Sequence, residues 1–188
     1  MEHVGPKANF VISKKYDGAS LFDMDQLWQS WTTIRSSVLY QSHSCHFDWE
    51  TLQSSNIRED LKWELTRGRS TSVAELEGAK RIASAYSTWL EQDIFSKYNF
   101  IALPSSQLWP FPVEWISPQC IHKVPMDTYH RWMQVMVPVS LGGLPCITVP
   151  AGLDDLGRPM GIQIAGPRGS DRDLIHLARA YETAWKKR

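Results

Sequence analysis

The chain's 188 residues suffice for one domain with a buried core, or for one large piece of a bigger domain. Its 20 Lys and Arg balance 20 Asp and Glu, so no net field draws it toward nucleic acid or an anionic membrane, and a basic-patch function is set aside. Nine tryptophans, by contrast, call for extensive packed or interfacial surface.

The first ten residues, MEHVGPKANF, have neither the basic start nor the apolar run of a signal peptide. Cys45, Cys120 and Cys146 are odd in number and show no paired spacing, which argues against a disulfide framework. A reducing, cytoplasmic location is the expectation. Met24, Leu27, Trp28, Trp31 and Val38 then recur at helical spacing behind Asp23, a candidate N-cap. Asn56 with Glu59 has the form of a capping box, with Ile57, Leu61 and Leu65 on one face and Gly68 as a stop. Two short helices are therefore expected before residue 70.

Ser72 with Glu75 forms a second capping box, opening an amphipathic helix that carries Val73, Leu76, Ala79, Ala83, Tyr86 and Leu90 toward Lys97. NFIAL (99–103), ended by Pro104, reads as a strand buried on both faces. Pro104, Pro110, Pro112, Pro118 and Pro125 interrupt residues 104–126, which predicts a long loop laid over apolar surface. Asp127 is then placed as the cap of a helix whose stripe is Tyr129, Trp132, Met133, Met136 and Val137, ending at Pro138.

Residues 132–153 carry no charge, but Pro138, Pro145, Pro150, Gly142, Gly143 and Gly152 break any membrane helix there. Instead, Ile147 and Val149 alternate with Thr148 and Pro150, Asp154 to Gly157 supplies a turn, and Met160, Ile162 and Ile164 alternate back. Two antiparallel strands result. Ser170 and Asp173 open a last helix with Leu174, Leu177, Ala178, Tyr181 and Trp185, and Lys186, Lys187 and Arg188 suit the negative end of its dipole.

The run GGLPCITVPAGLDDLGRPMGIQIAGP followed by SDRDLIHLARAYE closely resembles the closing segment of the amidase signature family. In that family a Gly-Leu-Pro strand, a turn, a Gly-x-Pro-x-Gly-x-Gln strand and a final helix come in this order. Upstream, YNFIALPSSQLWPFP and MDTYHRWM look like the matching strand, proline-rich loop and helix. Ser140 and Ser105 depart from the family's usual Asn and Thr, and both remain small hydrogen-bonding residues. The resemblance implies an α/β fold, a mixed sheet covered by helices, of which this chain would be the incomplete C-terminal part. The whole of 1–188 is then one partial domain, with a helical segment over 1–71 and the amidase-like segment over 72–188.

The resemblance also implies carboxamide hydrolysis by a Ser-Ser-Lys arrangement, in which a lysine held neutral by burial takes the proton of a weakly nucleophilic serine. The family's glycine- and serine-rich catalytic segment has no counterpart here. Ser36-Ser37, Ser54-Ser55 and Ser105-Ser106 lack the flanking glycines that admit backbone amides to a developing oxyanion, and no lysine takes the base role. No catalytic residue is therefore assigned, and the chain alone is expected to be inactive.

Four other features have a functional and a structural reading. The glycines of 140–167 could cradle an anion, but no Lys-Ser or Lys-Thr follows them, which favours strand and turn punctuation. His43, Cys45 and His46, with Cys120 and His122, lack the spacing of a zinc site, so neither metal nor cofactor is expected. Cys146 reads as a small buried hydrophobe. Trp109, Phe111, Trp115, Tyr129 and Trp132 are candidates for an acyl-pocket wall, while their spacing equally suits core packing, which is favoured. A partner chain carrying the catalytic half, a homo-oligomer, or a remnant without function of its own all remain open.

Overall fold

The computed structural model describes residues 22–50, 52 and 56–185. Helix α1 (Met24–His43) is held at its start by the Asp23 carboxylate, which accepts the amide of Gln26. It is 20 residues long, not short, and Val38, assigned to its apolar stripe, is 53% exposed. Its buried face is partly made of small hydroxyl residues. Ser30 and Ser37 turn their hydroxyls back onto the carbonyls of Gln26 and Thr33, so this face is both narrow and satisfied.

That narrowness admits α2 (Glu59–Ser70). Gly68 lies against α1 so closely that a β-carbon there would come 2.2 Å from the Ser36 carbonyl oxygen. Gly68 is thus a contact residue inside α2, which runs on to Ser70, rather than a stop. The Asn56 cap does not form either: Arg58 occupies the N-cap position without a side-chain hydrogen bond. Helix α3 (Val73–Trp89) has the expected Ser72–Glu75 capping box and continues into a π turn, Leu90–Ile94. Leu27, Trp28, Tyr86, Leu90, Ile94 and Val137 form the core of this helical layer.

The sheet follows. Strands β1 (Ile101–Pro104), β4 (Cys146–Leu153) and β5 (Pro159–Ala165) pair antiparallel in the order β1-β5-β4. β1 alternates half-buried and exposed residues because only the face carrying Ile101 packs on the helical core, so it is not buried on both faces. The proline-rich loop is irregular except for a two-residue hairpin, β2 (Cys120–Ile121) and β3 (Val124–Pro125), whose turn residues His122 and Lys123 both have positive φ.

Past the hairpin, a 3-10 helix (Arg131–Met136) passes into α4 (Val137–Gly142), so Pro138 opens a helix rather than closing one. Asp127 does not cap it, and its carboxylate faces Arg131 at 3.6 Å instead. Gly143, at φ 61°, ends α4 in the left-handed conformation that glycine adopts without strain. The β4–β5 turn is fastened by Asp154, whose carboxylate accepts the Arg158 amide and guanidinium at 2.8 and 2.7 Å.

Helix α5 (Asp171–Trp185) covers one face of β4 and β5, where Leu174 packs on Val149 and Ile164. The Ser170 hydroxyl has no hydrogen-bond partner among the described residues, so the helix starts without the expected cap. The C-terminal Lys186, Lys187 and Arg188 lie outside the described residues, as does the pair Ser54-Ser55. Cys146 is exposed, not buried, because it lies on the face of β4 turned away from α5.

Candidate functional site

The five aromatic candidates separate into two places. Phe111 stacks on Trp115 at 6.2 Å and meets Trp132 edge-on at 5.4 Å, with Trp115 52% exposed. Trp109 is half-buried in the same loop, next to the turn that Ser106 makes by bonding both the amide and the carbonyl of Leu108. Arg158 ties this loop to the β4–β5 turn through the Pro110 carbonyl, at 3.4 Å. Tyr129 belongs elsewhere.

Tyr129 joins a buried polar cluster that inspection of the sequence missed. Glu64, 1% exposed on α2, accepts three hydrogen bonds: from Arg35 Nε at 2.7 Å, from Ser36 Oγ at 2.5 Å and from Tyr129 OH at 2.7 Å. Three donors from two other elements satisfy a carboxylate that burial alone would destabilise. Burial chiefly, and then the bond to Glu64, raises the Tyr129 phenol to about 12. For Arg35 burial is the largest influence and opposes the charge, but the bonds to Glu64 and Tyr129 overcome it and the pKa rises.

Beside this cluster sits His130, fully buried, with neither ring nitrogen hydrogen-bonded among the described residues. Its imidazole stacks on Tyr129 at 4.4 Å and is walled by Trp28, Trp63 and Trp31 at 4.9, 5.3 and 5.5 Å. Burial pushes its pKa down to about 4. An open cleft of ≈ 700 Å³ lies between α2, at Glu59, Trp63 and Arg67, and the segment Asp127–Tyr129. The signal that could have exposed this cluster was Arg35, a charge seven residues after Trp28 and four after Trp31, on a stripe otherwise read as apolar.

Ser36 and Ser37 are helical residues bonded to Glu64 and to the Thr33 carbonyl, and the Ser105 amide extends the sheet by donating to Gly161. Lys62 and Lys80 bond the carboxylates of Glu59 and Glu77. Among the described residues no three His, Cys, Asp or Glu side chains gather as a metal site, and His43 and His46 lie far in sequence from the hairpin carrying Cys120 and His122. No helix of these residues is long and apolar enough to cross a membrane.

Comparison with known proteins places this arrangement. The A subunit of a glutamyl-tRNA(Gln) amidotransferase from Dehalococcoides mccartyi is 33% identical over 98 residues, 50% of this chain and 18% of its own length. Its counterpart from Streptococcus equi subsp. zooepidemicus is 30% identical over 69% of this chain and 26% of its own length. The chain thus spans about a quarter or less of these relatives. Among solved structures, a bacterial aryl acylamidase of the amidase signature enzymes superposes with a TM-score of 0.74 at 20% identity, over 87% of this chain and 34% of its own. The fold is accordingly an incomplete α/β amidase-signature fold. The model of the family described as Amidase matches residues 25–175, reaching back into α1, and the chain belongs to that family.

Proposed function

We propose that these residues form the closing portion of a carboxamide-hydrolysing amidase, supplying scaffold and acyl-pocket wall but not the attacking group, and that they hydrolyse no amide alone. The Ser-Ser-Lys set would come from another stretch of polypeptide, paired with the outer edge of β4. Trp109, Phe111 and Trp115 on the proline-rich loop, with Trp132 on the 3-10 helix, are the proposed wall, while Tyr129, bonded to Glu64, stands outside it.

One observation carries this reading. β4 is eight residues long yet lies at the edge of the sheet, and no strand pairs with its outer side among the described residues. The Gly166 amide bonds the Pro145 carbonyl, which makes Cys146 opposite Ala165 a non-hydrogen-bonded pair and turns the peptide groups of Cys146 and Thr148 outward. Both side chains are exposed. The stretch Cys146–Val149 of this edge is a template for a further strand, whereas Pro150 beyond it has no amide and its carbonyl accepts the Tyr181 hydroxyl. The curated relatives are by name subunits of an amidotransferase, which is compatible with a partner chain here.

The test is an assay of the purified chain against a simple aryl carboxamide, alone and mixed with the glycine- and serine-rich catalytic portion of an amidase. Turnover is expected only in the mixture. Turnover by the chain alone, abolished by Ser105→Ala or Ser106→Ala, would refute the proposal.

A further inference from the structure

His130 sits where three elements meet: α1 supplies Trp28, Trp31 and Arg35, α2 supplies Trp63 and Glu64, and the irregular stretch Met126–His130 supplies the ring itself. The fit leaves no place for a charged ring. The nearest carboxylate oxygen, Glu64 Oε1, is 3.9 Å from Nε2 and already accepts Arg35 and Tyr129. The indoles could hold a cation over their faces, but Arg35 already lies over Trp31 at 5.3 Å and Arg131 over Trp28 at 5.1 Å.

We propose that the segment Met126–His130 is a latch kept shut by a neutral His130, and that one proton on this ring releases the segment from α1 and α2 and widens the ≈ 700 Å³ cleft beside it. The segment can move without breaking a helix or a strand, since β3 ends at Pro125 and the 3-10 helix begins at Arg131.

The charged and titratable groups facing the ring are Arg35 from α1, Glu64 from α2, Asp127 and Tyr129 from the latch itself, and Arg131 from the start of the 3-10 helix. Arg35 opposes protonation, while Glu64 and Asp127 favour it too weakly to offset burial, and the closed-state pKa falls from 6.5 to about 4. The released ring titrates at its ordinary value, so between these two values the open form binds more protons than the closed one. Closure is therefore fully favoured above pH 6.5 and weakens as the pH falls toward 4.

Hydrogen exchange of the whole chain at pH 7 and pH 4.5, corrected for the intrinsic rate, tests this. The amides of Met126, Arg131 and Met133, whose hydrogen bonds start from the latch or end on Thr128 and His130 within it, should lose at least ten-fold of their protection at the lower pH while those of β4, β5 and α5 keep theirs. His130→Phe should abolish the loss. Retained protection in the wild type, equal loss in His130→Phe, or simultaneous loss throughout the chain each overturn the latch. If His130→Phe does not fold, NMR of histidine-labelled wild-type chain replaces it: one imidazole must titrate at the midpoint of the opening, and opening with every buried imidazole still neutral overturns the proposal.

Discussion

Two glycines in neighbouring helices show how position decides what a residue contributes. Alanine favours a helix interior over glycine by about 1 kcal/mol. At Gly78 of α3 the nearest atom to a new β-carbon is an Arg81 guanidinium nitrogen at 3.8 Å, so Gly78→Ala should stabilise by about 0.5–1 kcal/mol. At Gly68 of α2 the obstacle is the Ser36 backbone, which cannot swing aside, and separating α1 from α2 outweighs the propensity gain. Gly68→Ala should cost roughly 1–3 kcal/mol. Urea-unfolding midpoints of both variants check this, and shifts of the same sign would refute the assignment of Gly68 as a contact residue. Nothing local distinguishes the two in the sequence, which is why Gly68 reads there as a helix stop. The Glu64 cluster escapes inspection for the same reason, its donors Arg35 and Tyr129 being 29 and 65 residues away.

At the scale of elements, signals confined to one turn of chain are the dependable ones. Asp23 and the Ser72–Glu75 pair need only their own following amides, and both caps form. Asn56 and Glu59 have the same spacing as Ser72 and Glu75, yet α2 starts at Glu59 without a side-chain cap. Ser72→Ala should therefore lower stability by about 1 kcal/mol, and Asn56→Ala should stay within about 0.5 kcal/mol of the parent. A comparable loss from both, measured by thermal or urea unfolding, would mean that the Asn56 box forms after all. Pro138 shows the ambiguity that remains in a single residue: proline closes one helix and suits the first turn of the next, and here the elements on its two sides are a 3-10 helix and α4. The alternation of β4 and β5 was legible because two apolar faces and a turn repeat it, whereas the edge position of β1 depends on strand order, which alternation does not encode.

For the molecule as a whole, the prolines of the sheet reveal how its edges are built. Pro150 in β4 and Pro104 in β1 both occupy non-hydrogen-bonded pairs, opposite Gly161 and Ile162, so the missing amide of each would have pointed outward. Neither proline removes a bond from the inner ladder, whose register shifts only beyond Pro150, between it and Gly152, and this separates the stability of the chain from its capacity to extend the sheet. Thr148→Pro removes an outward amide on β4 and should cost the isolated chain only about 1 kcal/mol, whereas Val149→Pro removes a bond to β5 and should cost ~3 kcal/mol or more. In the reconstitution assay Thr148→Pro should then abolish complementation by the catalytic portion while leaving the far-UV dichroism and urea midpoint of the chain nearly unchanged. Full activity of that mixture would show that the catalytic portion meets this chain somewhere other than the outer edge of β4.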